Sequence, residues 1–536
     1  MTRRTLRRIA LTAALTAMAL AAAPLLTPRG GIEPLPEPDR GRELSARYCS
    51  TCHLEPHPSI LPKRSWEAAL GYMGYWFGME DLAYLSDRPA FVRDNVRTRR
   101  EVLRRDNLLP AVPTLSRDEW DLLRAYYLRN APAQALPQTG TLPLRWTLPR
   151  FKAVASEYRA RPAVTTLVRI REERREIYLG DSASGRLTVL DGDGRVKVAA
   201  ALDDPRLSPV DIEFLDGAAY VGSIGDLPAL QPSAARPAHI VALTLKDDGL
   251  KGAQARLLIG SLYRMADMEM ADLNGDGRVD IIVCGFGVLA GGVSWFESRP
   301  DGNYFERPLL ALPGAVRAQV HDFNGDGLPD IAVLVSQARE GFHILINRGD
   351  GRFEDRTIFE THPGYGHTYF ELQDFNGDGL ADLLVVNGDT VDSDPYNTPK
   401  NYHGLRIYLN RGGLRFEEAW FYPMHGAFVA RARDFDGDGD LDVAAISFYP
   451  DFASDRPESF TYLENLGGLK FAACSHEATL TGRWMTLDAG DIDGDGDVDL
   501  VLGGGYIPVG MFAYMDLYHR LAETGPPVLI LKNTLH

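Results

Sequence analysis

The stretch Asp272-Leu273-Asn274-Gly275-Asp276-Gly277-Arg278-Val279-Asp280-Ile281-Ile282-Val283 sets oxygen-bearing side chains at alternate positions around two glycines, then runs into β-branched residues. Oxygen ligands at that spacing, with glycine allowing a sharp turn, suit a hard cation such as Ca2+. Matching nonapeptides begin at Asp322, Asp374, Asp434 and Asp491, at intervals of 50, 52, 60 and 57 residues. The candidate ligands are Asp272, Asn274, Asp276 and Asp280; Asp322, Asn324, Asp326 and Asp330; Asp374, Asn376, Asp378 and Asp382. The last two copies offer Asp434, Asp436, Asp438, Asp440 and Asp442, and Asp491, Asp493, Asp495, Asp497 and Asp499. An EF-hand would require Glu at position twelve, where these copies carry Val283, Val333, Val385, Ala445 and Leu502, and no helix follows. Each loop therefore joins two strands. The competing reading is five solvated acidic turns without an ion.

A repeat of fifty to sixty residues suits four short strands with their turns, one blade of a β-propeller. The nonapeptides resemble the calcium-binding FG-GAP or VCBS repeats of integrin-type propellers, although the Phe-Gly…Gly-Ala-Pro element of those repeats is nearly missing. The resemblance implies that each loop connects the first and second strands of a blade. Two earlier segments, Leu167 to Ala201 and Val210 to Leu245, read as blades without the ion loop. The expected fold is thus an all-β seven-bladed β-propeller with calcium loops over residues 161–536, closed so that no strand edge is exposed. A small all-α cytochrome c-like domain is expected before it, at residues 40–132, joined by a linker at 133–160.

The helical unit is read from Cys49-Ser50-Thr51-Cys52-His53, the C-x-x-C-H pattern of covalent haem attachment. One turn places two thiols against the vinyl groups and the imidazole beneath the iron. A zinc half-site or a redox dithiol are the alternatives. Haem c would be held by Cys49, Cys52 and His53, with Met73 as the first candidate for the sixth ligand because Gly74 lets the backbone approach closely. Met79, His57 and an open position follow in that order. Residues 114–128 read as an N-capped amphipathic helix of the kind that packs on the motif-bearing helix in cytochrome c domains. Ahead of the motif, Arg3, Arg4, Arg7 and Arg8 precede an Ala/Leu-rich run, which reads as a signal peptide at 1–23 or as an uncleaved anchor. The expected location is periplasmic or secreted, with membrane contact only through that segment.

The chain has 536 residues, 45% hydrophobic, and a net charge of −16. That length calls for more than one unit, and that charge opposes a nucleic-acid binder. Four cysteines are too few for a disulfide scaffold, and Cys284 and Cys474 read as buried thiols. The five loops hold nineteen aspartates, so most of the acidity is ion-ligand chemistry. On the propeller face opposite the loops, the lead-ins and turns collect His367, His403, His425, Arg483 and Trp484, a candidate ligand funnel. No nucleophile elbow, zinc-protease motif or nucleotide loop is present. The functional expectation is an exported c-type haem electron-transfer protein with a redox partner, whose calcium-stabilised propeller binds a small molecule, glycan or protein. Two variants remain open. One is an oxidoreductase acting at the funnel, the other a non-enzymatic binding or adhesion module with an accessory haem.

Overall fold

A computed structural model describes residues 37–79, 83–105, 107–204, 206–227, 237–246, 249–287, 290–337, 339–390 and 394–535. The expected signal segment lies outside the described residues. Among the described residues no helix is long and apolar enough to cross a membrane.

The strands form seven four-stranded antiparallel sheets. Six are built from consecutive strands and span 165–203, 209–262, 265–310, 315–361, 367–423 and 427–474. The seventh combines Trp484–Gly490, Asp499–Gly504 and Val528–Asn533 with Phe151–Val154 from before the first blade, in the register Phe151↔Asn533 to Val154↔Ile530. The propeller therefore begins at Phe151, ten residues earlier than expected, and the supposed linker at 133–160 contains its closing strand. Four residues without a flanking turn signature carry little periodicity of their own, and the Pro-, Gln- and Gly-bearing run before them dominates the composition.

The strands that follow the acidic loops, Asp280–Gly285, Asp330–Val335, Asp382–Asn387, Asp442–Ser447 and Asp499–Gly504, are buried at every residue. Neighbouring blades cover both faces, so continuous apolar runs replace the in-out alternation of a half-exposed strand. The innermost strands are stapled around the ring. Met268 N–H donates to Asp211 Oδ2 (2.9 Å), Ala318 N–H to Asp267 Oδ2 (2.8 Å) and Leu372 N–H to Gln319 Oε1 (2.9 Å). Ala432 N–H likewise donates to Glu371 Oε2 (2.9 Å) and Ile170 N–H to Asp488 Oδ2 (2.8 Å), the last joining the seventh blade to the first. These acceptors satisfy backbone donors that would otherwise face the crowded centre.

Ahead of the ring lie helices α1 (Glu37–Tyr48), α2 (Lys63–Trp76), α3 (Ala90–Arg105) and α4 (Arg117–Asn130). Ser116 and Glu119 form a reciprocal capping box at the start of α4. α1 crosses α4 at Gly41, where a Cβ would sit 2.7 Å from Tyr126 Cβ and 2.8 Å from the Leu122 carbonyl. Only glycine permits that approach. Leu44, Trp66, Leu70, Trp120, Leu123 and Tyr127 fill the core, and Cys49 packs against it. The α4 helix thus packs on the helix leading into the C-x-x-C-H turn, as the sequence predicts.

Candidate functional site

Each acidic loop leaves the first strand of its blade, and its ninth residue opens the second strand. Gly277 and Gly275, with φ of 81° and 72°, turn their N–H groups inward to Asp272, at 2.7 Å and 2.8 Å. The ninth residue is a buried hub. Asp280 accepts from Leu273 N–H (3.1 Å) and from Ser298 N–H on the third strand (2.7 Å). Asp330, Asp382, Asp442 and Asp499 make the same pair of bonds in their own blades. Burial lifts these carboxyls above their ordinary range, to about 6 for Asp442 and about 7 for Asp499. Positions one and nine are thus fixed by backbone donors. Ligand oxygens of Asp434, Asp436 and Asp438 all lie within 4.8 Å of one another, as do those of Asp491, Asp493 and Asp499. Such a donor set fits a hard divalent cation.

The C-x-x-C-H turn follows α1 directly, as a short 3-10 turn at Cys49–Thr51. Both thiols are free, Cys52 exposed and Cys49 half-buried. His53 Nδ1 lies 2.9 Å from the Leu54 carbonyl. That contact assigns the proton to Nδ1 and leaves the Nε2 lone pair for a metal. The residues therefore fit a covalently attached haem. For the sixth ligand the structure departs from the preference for Met73. The space left by Gly74 is taken by Trp120, whose Cζ2 would lie 3.0 Å from an added Cβ, and by Met79. Met79 shares the apolar cluster of Cys49, whereas Met73 belongs to no core cluster among the described residues.

The five expected funnel residues divide into different roles. Trp484 is core, 0% exposed, with its indole N–H donating to the Thr479 carbonyl at 2.9 Å. Arg483 is also buried and is a clasp. It donates to the carbonyls of Phe448 (2.8 Å), Ile507 (2.6 Å) and Val509 (2.7 Å) and stacks on the Phe448 ring. A lead-in position predicts that a residue lies near the rim, but it cannot distinguish a side chain turned outward from one turned under the loop, so the sequence pattern alone sets both on the funnel surface. His367, His403 and His425 gather around the fifth blade, each with an Nδ1 that has no hydrogen-bond partner among the described residues. Burial keeps them neutral, pushing His367 down to about 3 and His403 far below the usual imidazole range.

Around them stands a ring cluster. His362 packs edge-on against Tyr365 (4.9 Å) and Tyr402 (5.4 Å), and the two tyrosines stack at 5.2 Å. Lys400 is buried beside them, with Nζ 3.2 Å from the Thr398 carbonyl and 3.8 Å from Asp394. Sequence reasoning missed Tyr365, Lys400 and Arg406, which stacks over Tyr365. Nothing in a Pro-Lys-Asn-Tyr loop signals a buried cation.

This part of the funnel face is covered. Ser65 of α2 hydrogen-bonds Thr398 (3.1 Å), and Phe91 of α3 meets Tyr396 edge-on (5.6 Å). The Arg64 guanidinium lies over Tyr396, Gln138 donates to the His403 carbonyl (3.2 Å), and Tyr402 Oη reaches within 3.5 Å of the Ile60 carbonyl. The helical unit bearing Cys49, Cys52 and His53 is therefore docked on the fifth blade, and the two candidate sites form one interface.

The FG-GAP-like repeat family matches this chain at residues 272–333 and 322–385, which hold the first three acidic loops. The chain therefore contains FG-GAP-like repeats within a seven-bladed propeller. Human cartilage acidic protein 1 is 27% identical over 278 residues, covering 46% of this chain and 39% of that protein. This chain thus spans about two fifths of that relative. Among solved structures, virginiamycin B lyase from Staphylococcus aureus aligns with a TM-score of 0.43 at 9% identity, over 72% of this chain and 99% of the other. The periplasmic gluconolactonase of Pseudomonas aeruginosa aligns at 0.39 and 13%, over 60% and 84%. Likeness at that level says nothing about chemistry.

Proposed function

We propose that this is an exported c-type haem electron-transfer protein whose calcium-stabilised propeller serves as the platform on which the haem unit is docked. The observation that carries this reading is the Cys49–His53 turn, with two free thiols and an imidazole whose Nδ1 is committed to the Leu54 carbonyl. A haem bound there supplies a one-electron couple. Cys49 and Cys52 would hold it through thioethers, His53 would ligate the iron through Nε2, and Met79, which shares the Cys49 cluster, would be the further thioether ligand. Ca2+ in the five acidic loops would neutralise the clustered aspartates and tie the first strand of each blade to its second and third.

Between the two ways of using the propeller, the burial of His367, His403, Arg483 and Trp484 favours the binding platform over a catalytic funnel, because four of the five expected contact groups are enclosed and the Arg483 donors are taken up by backbone carbonyls. An external ligand or redox partner would meet the exposed parts of the helical unit and the uncovered blades.

The test is the reduced absorption spectrum of the exported protein after alkaline pyridine treatment. The expected result is the c-type signature in the wild type and a loss of the doubly linked form in Cys52→Ser. Absence of the signature in the wild type would overturn the reading.

A further inference from the structure

Beside the closing strand Phe151–Val154 lies a cleft of about 450 Å3. One wall is the end of that strand and the segment that runs from it to Arg161. The other is the turn from helix α5 (Met515–Thr524) through Pro526 and Pro527 into Val528–Asn533, the strand with which the closing strand pairs. Short side chains, Ala153, Ala155, Ala160 and Ala478 among them, leave the space open.

Charge sets this cleft apart from the rest of the molecule. The chain carries a net charge of −16, yet no Asp or Glu side chain lines the cleft among the described residues, and its charged groups are Arg159 and Arg161. Glu157, between the two walls in sequence, is turned to the first blade, where it accepts the Val196 N–H at 3.4 Å. Each arginine is anchored at one nitrogen. Arg159 Nη1 donates to the carbonyls of Ser156 (2.5 Å) and Tyr158 (2.9 Å), and Arg161 Nη1 to the Glu523 carbonyl at the end of α5 (2.6 Å). Neither forms an ion pair among the described residues, so Nε and Nη2 of both remain for a guest. The hydroxyls of Ser156, Thr481 and Thr524 donate instead to the carbonyls of Gly194 (3.1 Å), Ala478 (2.7 Å) and Arg520 (2.8 Å). The guanidiniums are thus the principal donors on offer.

We propose that this cleft binds a small amphiphilic organic anion, a carboxylate or phosphate ester whose head group is held by Arg159 and Arg161 and whose apolar body lies against Pro526, Val528 and Leu529. A guanidinium presents parallel N–H donors that match either head group, and the volume falls within the range of small-molecule sites. The site depends on neither the haem nor the acidic loops. Because the guest touches both the closing strand and the strand that pairs with it, its binding also holds the ring shut, and it stabilises the folded protein by linkage.

The experiment is isothermal titration calorimetry of the full-length protein with hexanoate, hexyl phosphate and, as a neutral comparison, hexanol, with the melting temperature as a second readout. Binding of an anion but not of hexanol is expected, and the tighter of the two anions assigns the head group. Arg159→Gln and Arg161→Gln change exposed side chains, which leaves the fold intact, and each should weaken anion binding roughly five- to tenfold. Ala155→Trp, at an exposed lining position, occupies the cleft without altering its charge and should abolish binding. No binding of either anion by the wild type, equal binding of hexanol, or affinities unchanged in the arginine variants or in Ala155→Trp overturn the proposal. None of these outcomes bears on the haem reading.

Discussion

Replacing Asp438 by Asn separates an ion-binding loop from a merely acidic turn, because the two accounts predict opposite signs. Asp438 lies with Asp434 and Asp436 in a group whose ligand oxygens are all within 4.8 Å of one another. Without an ion, two carboxylates at that separation repel by about 1 kcal/mol at the dielectric constant of water. Asparagine removes the charge and keeps the carbonyl that accepts the Asp440 N–H, now at 2.9 Å from Oδ1. In chelator the variant should therefore be as stable as the wild type or more stable by about 1 kcal/mol. In calcium the sign reverses. A site filled at a hundred times its Kd stabilises the ring by about 2.7 kcal/mol, and a variant that no longer binds forfeits that increment. For a propeller running from Phe151 to Asn533, unfolding entropy at that size translates 1 kcal/mol into roughly 1 °C. Differential scanning calorimetry should thus show Asp438→Asn melting about 3 °C below wild type in excess calcium and level with it or slightly above it in chelator. Equal losses in both buffers would refute the ligand role of this loop.

Two further substitutions probe the ring itself. Asp488 accepts the Ile170 N–H that joins the last blade to the first, and it pairs with Arg431 at 3.1 Å. Asp488→Ala leaves the buried Arg431 guanidinium with only the more distant Glu371, at 3.9 Å, and should cost about 3 kcal/mol, read as a lower urea midpoint. At the ring centre, burial and the neighbouring Asp267, Glu213 and Asp211 lift the Glu269 carboxyl well above its ordinary range, against the pull of Arg317. A raised carboxyl stabilises the fold fully below its unfolded pKa, and that contribution is lost as pH rises through the folded value. Glu269→Gln should therefore flatten the decline in urea midpoint between pH 5 and pH 8 and exceed the wild type at the upper end. An unchanged slope would show that Glu269 is solvated.

The parts of the fold that were legible in the sequence are those where chemistry repeats. Five nonapeptides mark the same junction between first and second strands, and their spacing predicts the blades around them. Where the ion loop is missing, apolar runs such as Glu176–Asp181 still mark a blade. The closing strand Phe151–Val154 was not legible, since four residues gain their meaning only from the register with Val528–Asn533. The site divides in the same way. Cys49, Cys52 and His53 are read locally because a single turn brings them together. The interface residues Tyr396, Thr398, Lys400 and Tyr402 come from one loop of the fifth blade, and nothing in its own neighbourhood points to a helical unit docking over it. Trp484 shows the reverse error, a residue next to a rim position whose ring turns into the core. The argument from Gly74 to Met73 loses its support for a related reason. Gly74 does mark a close approach, but the group that approaches is the Trp120 ring.

A covalent haem on the Cys49–His53 turn, beside the propeller, is decided by the intact mass of the purified chain after acid and organic denaturation. The expected result is a chain heavier by one haem, retained through denaturation and lost when Cys49 and Cys52 are both replaced by serine. A denatured wild-type chain at the mass of the polypeptide alone would contradict it.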